Sequence, residues 1–173
     1  GSARAILKET GKTFVETNQY SGGLPNWRPL ASGNEVIWWS ERDGWGHLSL
    51  VDAKTGAIKN RITSGAWLVS DVLWVDETLR WVYFTAVGRE PKLDPYWRQY
   101  YRAKLDGSAV QLLATEDADH EVVVAPGGKY VVDNVARFNQ PTASYLRRID
   151  GTLSKALQRA DPKRLVDAGW RAP

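Results

Sequence analysis

One pattern constrains this chain more than its size or charge: an extended apolar core, followed by an Asp/Gly turn, recurs three times at nearly even spacing. The cores are Glu35-Val36-Ile37-Trp38-Trp39, Trp81-Val82-Tyr83-Phe84 and Tyr130-Val131-Val132-Asp133. Val36 and Val82 stand 46 positions apart, and Val82 and Val131 stand 49 apart. A four-stranded propeller blade consumes about 40 to 50 residues, so one core per blade fits that spacing. Helical solenoids share the period but not the chemistry, because these runs are β-branched and aromatic and are broken by Gly and Pro every few positions.

The turns repeat with the cores. Ala31-Ser32-Gly33-Asn34 and Ala125-Pro126-Gly127-Gly128 supply residues that tolerate positive φ where a chain reverses tightly, and Asp76-Glu77-Thr78 takes that place in the middle repeat. Between the third and fourth strands come Asp52-Ala53-Lys54-Thr55-Gly56, Asp106-Gly107-Ser108 and Asp150-Gly151-Thr152, where Asp can bond its own backbone and Gly can turn left-handed. The expected fold is therefore all-β: a partial β-propeller of about three four-stranded antiparallel blades, over residues 26–68, 69–119 and 120–160. Residues 1–25 read as the end of a preceding blade, with one or two leftover strands between Ala5 and Val15 and a Gly-rich loop from Tyr20 to Pro25. Residues 161–173 read as a short helix and linker, with Asp161 as N-cap, Pro162 at the first helical position and Gly169 as the stop.

Composition removes several function classes. Nine Trp and seven Tyr against three Phe and no Met suit half-buried strands whose rings have one wet edge. The net charge is only +3 and the basic residues are scattered, which argues against nucleic acid as partner; the clusters Arg147-Arg148 and Lys163-Arg164 read as solvated faces. Without cysteine there is neither a thiolate zinc site nor a Cys nucleophile, and two isolated histidines, His47 and His120, match no metal-ligand spacing. Both histidines are expected in structural hydrogen bonds, and no metal or cofactor is expected. Apolar runs of a few residues cannot cross a bilayer, so no membrane partner is expected.

Several motifs together give a lineage. Ser40-Glu41-Arg42-Asp43-Gly44-Trp45-Gly46-His47-Leu48, Ile62-Thr63-Ser64-Gly65-Ala66-Trp67-Leu68-Val69, Val82-Tyr83-Phe84-Thr85-Ala86, Arg89-Glu90-Pro91, His120-Glu121-Val122 and the Pro126-Gly127-Gly128-Lys129-Tyr130 turn resemble the N-terminal propeller of the dipeptidyl peptidase IV family, in the prolyl oligopeptidase clan. That resemblance implies the C-terminal blades of a propeller followed by an α/β-hydrolase domain, with Ala172-Pro173 near the junction. It implies a parent serine-type dipeptidyl peptidase, peptide as the substrate, and, in bacteria, a periplasmic or extracellular location. Trp27-Arg28-Pro29 resembles an aromatic-Arg pair that helps wall the family's substrate pocket, while the paired glutamates that hold a substrate's amino terminus fall in earlier blades.

A hydrolase nucleophile needs a Gly-x-Ser-x-Gly elbow with Asp and His partners, and this sequence contains no such elbow. Nor does it contain two adjacent glutamates. The expected role is thus non-catalytic: gating access to an active site and forming part of its wall, with the missing blades and the hydrolase domain as partners. The alternative is a TolB-like propeller that binds a protein and has no peptidase attached. Arg89-Glu90-Pro91, running on to Tyr96 and Trp97, reads as a projecting loop for a domain or subunit contact. Because a blade buries its sheet against its neighbours, three blades alone should leave flat apolar faces at both ends and self-associate.

Overall fold

The computed structural model describes residues 3–18 and 25–171. Of the Gly-rich loop expected from Tyr20 to Pro25, residues Tyr20 to Leu24 lie outside the described residues, as does the hydrolase junction expected at Ala172-Pro173. Within them the chain forms three four-stranded antiparallel sheets. The first is built from β1 (Arg28–Pro29), β2 (Glu35–Ser40), β3 (His47–Asp52) and β4 (Ile58–Arg61). The second takes β5 (Leu68–Asp76), β6 (Trp81–Val87), β7 (Gln99–Lys104) and β8 (Val110–Leu112), and the third β9 (Asp119–Val124), β10 (Tyr130–Arg137), β11 (Gln140–Arg148) and β12 (Leu153–Arg159). In each sheet the strands lie in sequence order, joined by simple hairpins. Helix α1 (Lys163–Asp167) follows and begins one residue later than expected: Pro162, not Asp161, is its N-cap, with Asp161 Oδ1 accepting from the Lys163 amide at 2.8 Å just ahead of it, and Gly169, φ +93°, follows its end.

The sheets stack face to face, and the middle one is covered on both sides. Strand periodicity does this: along β6, Val82, Phe84 and Ala86 join Ile37, Trp39, Leu48 and Leu50 of the first sheet, while Trp81 and Tyr83 join Val122 and Val131 of the third. Tyr101 and Ala103 of β7 face the first sheet in the same way, and Tyr100 faces the third. Each such side chain taken fully out of water is worth about 1.5–3 kcal/mol, so the interfaces between sheets are the core. The rings of Trp67, Phe84 and Tyr101 stack in series at centroid distances of 5.7 to 6.4 Å.

The expected turns are present and do more than reverse the chain. Asp52, Asp106 and Asp150 each accept the amide two residues on, at 2.9, 2.9 and 3.0 Å. The glycine of each turn abuts a backbone carbonyl from the preceding part of the chain: a Cβ would stand 2.0 Å from Ile6 O at Gly56, 2.3 Å from Arg61 O at Gly107, and 2.1 Å from Leu113 O at Gly151. Only glycine permits that approach. Arg61 and Leu113 end or follow the outermost strands of the first and second sheets, so Ile6 occupies the corresponding position against the outer face of the first sheet. In the middle repeat, which lacks a Gly in its first hairpin, Arg80 takes the positive φ, at 58°.

Two expectations are corrected. Residues 3–18 contain no strand, where one or two were expected between Ala5 and Val15. A strand needs a ladder partner, and this segment instead docks by side chains: Arg4 donates to Lys54 O at 2.8 Å and Ala53 O at 3.0 Å, and Glu9 accepts from Trp38 Nε1 at 2.7 Å and from the Ser40 hydroxyl. Arg147 is not part of a solvated basic face. Alternation along β11 sends Arg148 outward and Arg147 into the interface with the second sheet, where it is 5% exposed.

Candidate functional site

The two pocket-wall candidates part at the edge of β1. Asn26, itself buried, fixes this edge by donating to Ser70 O at 2.6 Å and accepting from the Val72 amide at 3.0 Å. Ser70 is an extra residue in the β5–β6 ladder, so its carbonyl turns out of the pairing and becomes available to the neighbouring sheet. Arg28 reinforces the junction by donating to Pro25 O at 3.2 Å, Trp27 O at 2.8 Å and Val72 O at 2.8 Å. Those bonds use three of its five N–H groups. Trp27 points away, 46% exposed, into an apolar cleft of about 350 Å³ shared with Ile6, Leu7, Val36 and Trp38 on the outer face of the first sheet.

The loop from Gly88 to Arg98 also divides. Arg89 pairs with Glu90 at 2.9 Å and lies over the rings of Trp67 and Tyr101, 5.7 and 5.4 Å from their centroids. Tyr101 donates its hydroxyl to Glu90 at 2.9 Å, and burial, followed by the Glu90 carboxylate, pushes the phenol far above its ordinary range. Arg89 and Glu90 are thus tied back to the core. Trp97 packs under the Arg137 guanidinium at 4.9 Å, joining the loop to the third sheet, and Arg98 grips Asp119 with three bonds of 2.6 to 3.0 Å. Tyr96 alone among the four loop candidates projects, 88% exposed.

Both histidines are structurally occupied. His47 bonds Thr63 Oγ1 through Nδ1 at 3.0 Å and Gly65 O through Nε2 at 2.9 Å; a carbonyl only accepts, so Nε2 carries the proton. Burial holds its pKa below the ordinary 6.5, against a smaller opposite pull from the Gly65 carbonyl. His120 sits in a buried cluster that no sequence motif announces. Its Nδ1 is 3.0 Å from both Asp133 oxygens, and its Nε2 is 3.2 Å from Glu116 O. Arg147 donates to Asp133 at 2.8 Å and also to Glu116 Oε1. Burial acts to lower the His120 pKa, but the Asp133 hydrogen bond and charge outweigh it and raise it above 6.5. A His-Asp pair of this kind resembles a proton relay, yet its outer nitrogen is already spent on a carbonyl, so it orients sheets rather than a nucleophile.

What the geometry defines is a stack of propeller blades whose conspicuous polar residues bind blade to blade. The dipeptidyl peptidase IV N-terminal region family matches residues 1–142, and the chain belongs to that family. Among solved structures it is similar to the putative dipeptidyl aminopeptidase IV of Bacteroides ovatus, with a TM-score of 0.62 and 20% identity over 75% of this chain and 21% of that one. It is also similar to the putative TolB of Agrobacterium tumefaciens, with a TM-score of 0.56 and 20% identity over 80% of this chain and 50% of that one. The chain thus spans about a fifth of the first protein and half of the second, and at these identities the likeness is one of fold.

Proposed function

We propose that this chain supplies non-catalytic blades that gate and wall the active-site cavity of a serine-type dipeptidyl peptidase. The family match over residues 1–142 carries that reading. The blades contribute rigidity: sheets locked by stacked rings and buried ion pairs do not part to admit a folded protein, so entry is limited to short or unfolded peptides. Bond cleavage belongs to a Ser-His-Asp triad with an oxyanion hole on a separate hydrolase domain. Arg28 keeps two N–H groups beyond its three carbonyl bonds, and in this reading it offers one to a substrate carbonyl at the propeller face. Tyr96, projecting from its loop, is the residue offered for a domain or subunit contact.

The test uses the longer protein that contains this chain. It should hydrolyse an Ala-Pro-nitroanilide reporter, label with a fluorophosphonate and ignore folded protein substrates, while the 173-residue chain alone does neither chemistry. The TolB-like fold of the A. tumefaciens protein supports a second reading, a protein-binding propeller without peptidase activity. A longer protein that neither labels nor turns over the reporter would establish that alternative.

A further inference from the structure

The three loops that join second to third strands, residues 41–46, 88–98 and 138–139, lie on one edge of the stack, and each carries one exposed aromatic ring: Trp45, Tyr96 and Phe138. The hairpin turns on the opposite edge, residues 30–34, 53–57, 77–80, 105–109, 125–129 and 149–152, contain no aromatic residue. Contacts between blades join the three loops. Gly46, beside Trp45, accepts from the Val69 amide at 2.8 Å, and the His47 ring meets Trp67 edge-on at 4.9 Å, with Arg89 over the same indole. Trp97 and Arg137, whose chain neighbours are Tyr96 and Phe138, hold the second loop against the third. A row of rings, one per blade, runs across this edge.

The charges along the row are already spent. Arg42 pairs with Glu9, Arg89 with Glu90, Arg98 with Asp119 and Arg137 with Asp117, while Arg61 holds Asp43. A polyanion meets no free guanidinium here, which argues against single-stranded nucleic acid, the other polymer that stacks on aromatic platforms. Trp45 Nε1 and the Tyr96 hydroxyl, by contrast, make no hydrogen bond within the described residues, so the row offers apolar ring faces together with unspent N–H and O–H donors.

We propose that this edge binds an extended, proline-rich peptide in the polyproline II conformation. Such a chain has carbonyls free to accept, few N–H groups of its own to satisfy and an apolar ring surface that packs on aromatic side chains, which is the complement of what the row offers. The length scales agree. Face-to-face sheets stand about 10 Å apart and one polyproline turn of three residues advances about 9 Å, so a peptide of about nine residues crosses three blades with one turn over each. The row stands whether or not the chain serves a peptidase, and a peptide seated on it uses Tyr96 in place of the domain or subunit contact offered above.

Calorimetric titration of the full 173-residue chain tests it, with nonaproline blocked at both ends as probe and a blocked Gly-Ser peptide of the same length as control. Saturable binding of nonaproline is expected, with the Gly-Ser peptide about tenfold weaker or worse. W45A, Y96A and F138A should each weaken binding about three- to tenfold, and W45F, which keeps a ring but no donor, less than W45A. Because the three rings are exposed, circular dichroism should find each variant folded like the parent. No heat at millimolar nonaproline, equal binding of the Gly-Ser peptide, or any ring-to-Ala variant that binds like the parent would overturn the proposal. Sedimentation in which the triple variant loses self-association that nonaproline leaves untouched would give the row to a second copy of the chain and overturn it as well. None of these readouts uses peptidase activity, so their failure leaves the proposed function standing.

Discussion

Replacing Arg147 by Met tests whether the buried cluster at the second interface behaves as a charge-balanced unit. Arg147 is 5% exposed, and Asp133 and His120 are fully buried. With His120 protonated, two acids and two bases meet there: Asp133 and Glu116, His120 and Arg147. Methionine keeps the stem's packing and removes the charge, leaving Asp133 with His120 alone. Breaking a buried pair from one side costs about 3–5 kcal/mol, which in a domain of this size lowers Tm by about 6–20 °C. The loss should depend on pH. Below the raised His120 pKa the imidazolium still offsets Asp133; above it both acids are uncompensated, so R147M should lose more at pH about 8.5 than at about 6. Thermal unfolding followed by circular dichroism at both pH values, with D133N and the double variant completing a cycle, reads this out. The double variant should be more stable than the sum of the singles implies, by about 0.5–3 kcal/mol. Additive losses, or an R147M shift below about 3 °C at both pH values, would refute the charge-balance account.

The two histidines should leave opposite marks on the stability profile. His120, raised above 6.5, contributes stability that is complete below 6.5 and fades as pH climbs through its folded pKa, so H120Q should flatten the neutral-to-alkaline limb of Tm against pH. His47, held below 6.5, contributes stability that is present above 6.5 and is lost as pH falls, so H47Q should flatten the acid limb; exchanged limbs would contradict both assignments. Gly128 has φ +66°, and a Cβ there would stand 2.2 Å from Trp74 Cε2, so G128A should cost about 1–3 kcal/mol by chemical denaturation, and an unchanged midpoint would show that the turn can relax. Trp27 on the first sheet and Val123, Leu153 and Leu157 on the third leave apolar surface exposed at the two ends of the stack. Sedimentation should therefore find mass rising with concentration, reduced by W27S together with L157S, whereas a monodisperse monomer at all concentrations would argue against open ends.

The sequence by itself determined the sheets. Unbroken β-branched and aromatic runs around Val36, Val82 and Val131, with Asp/Gly turns between the third and fourth strands, are local signals, and local hydrogen bonding is enough to realise them. It also determined that the turn glycines are indispensable, although not that each faces a carbonyl from earlier in the chain. The tertiary structure decided which polar residues meet. Nothing near Arg147 in sequence distinguishes it from Arg148; its burial follows from one residue of strand phase and from a neighbouring sheet whose position no local pattern encodes. The same holds for Glu116 and Asp133, which lie apart along the chain and meet on the Arg147 guanidinium. Trp27 and Arg28 show the reverse, since adjacent residues that read as a pair are sent to different surfaces by the alternation that builds the strand.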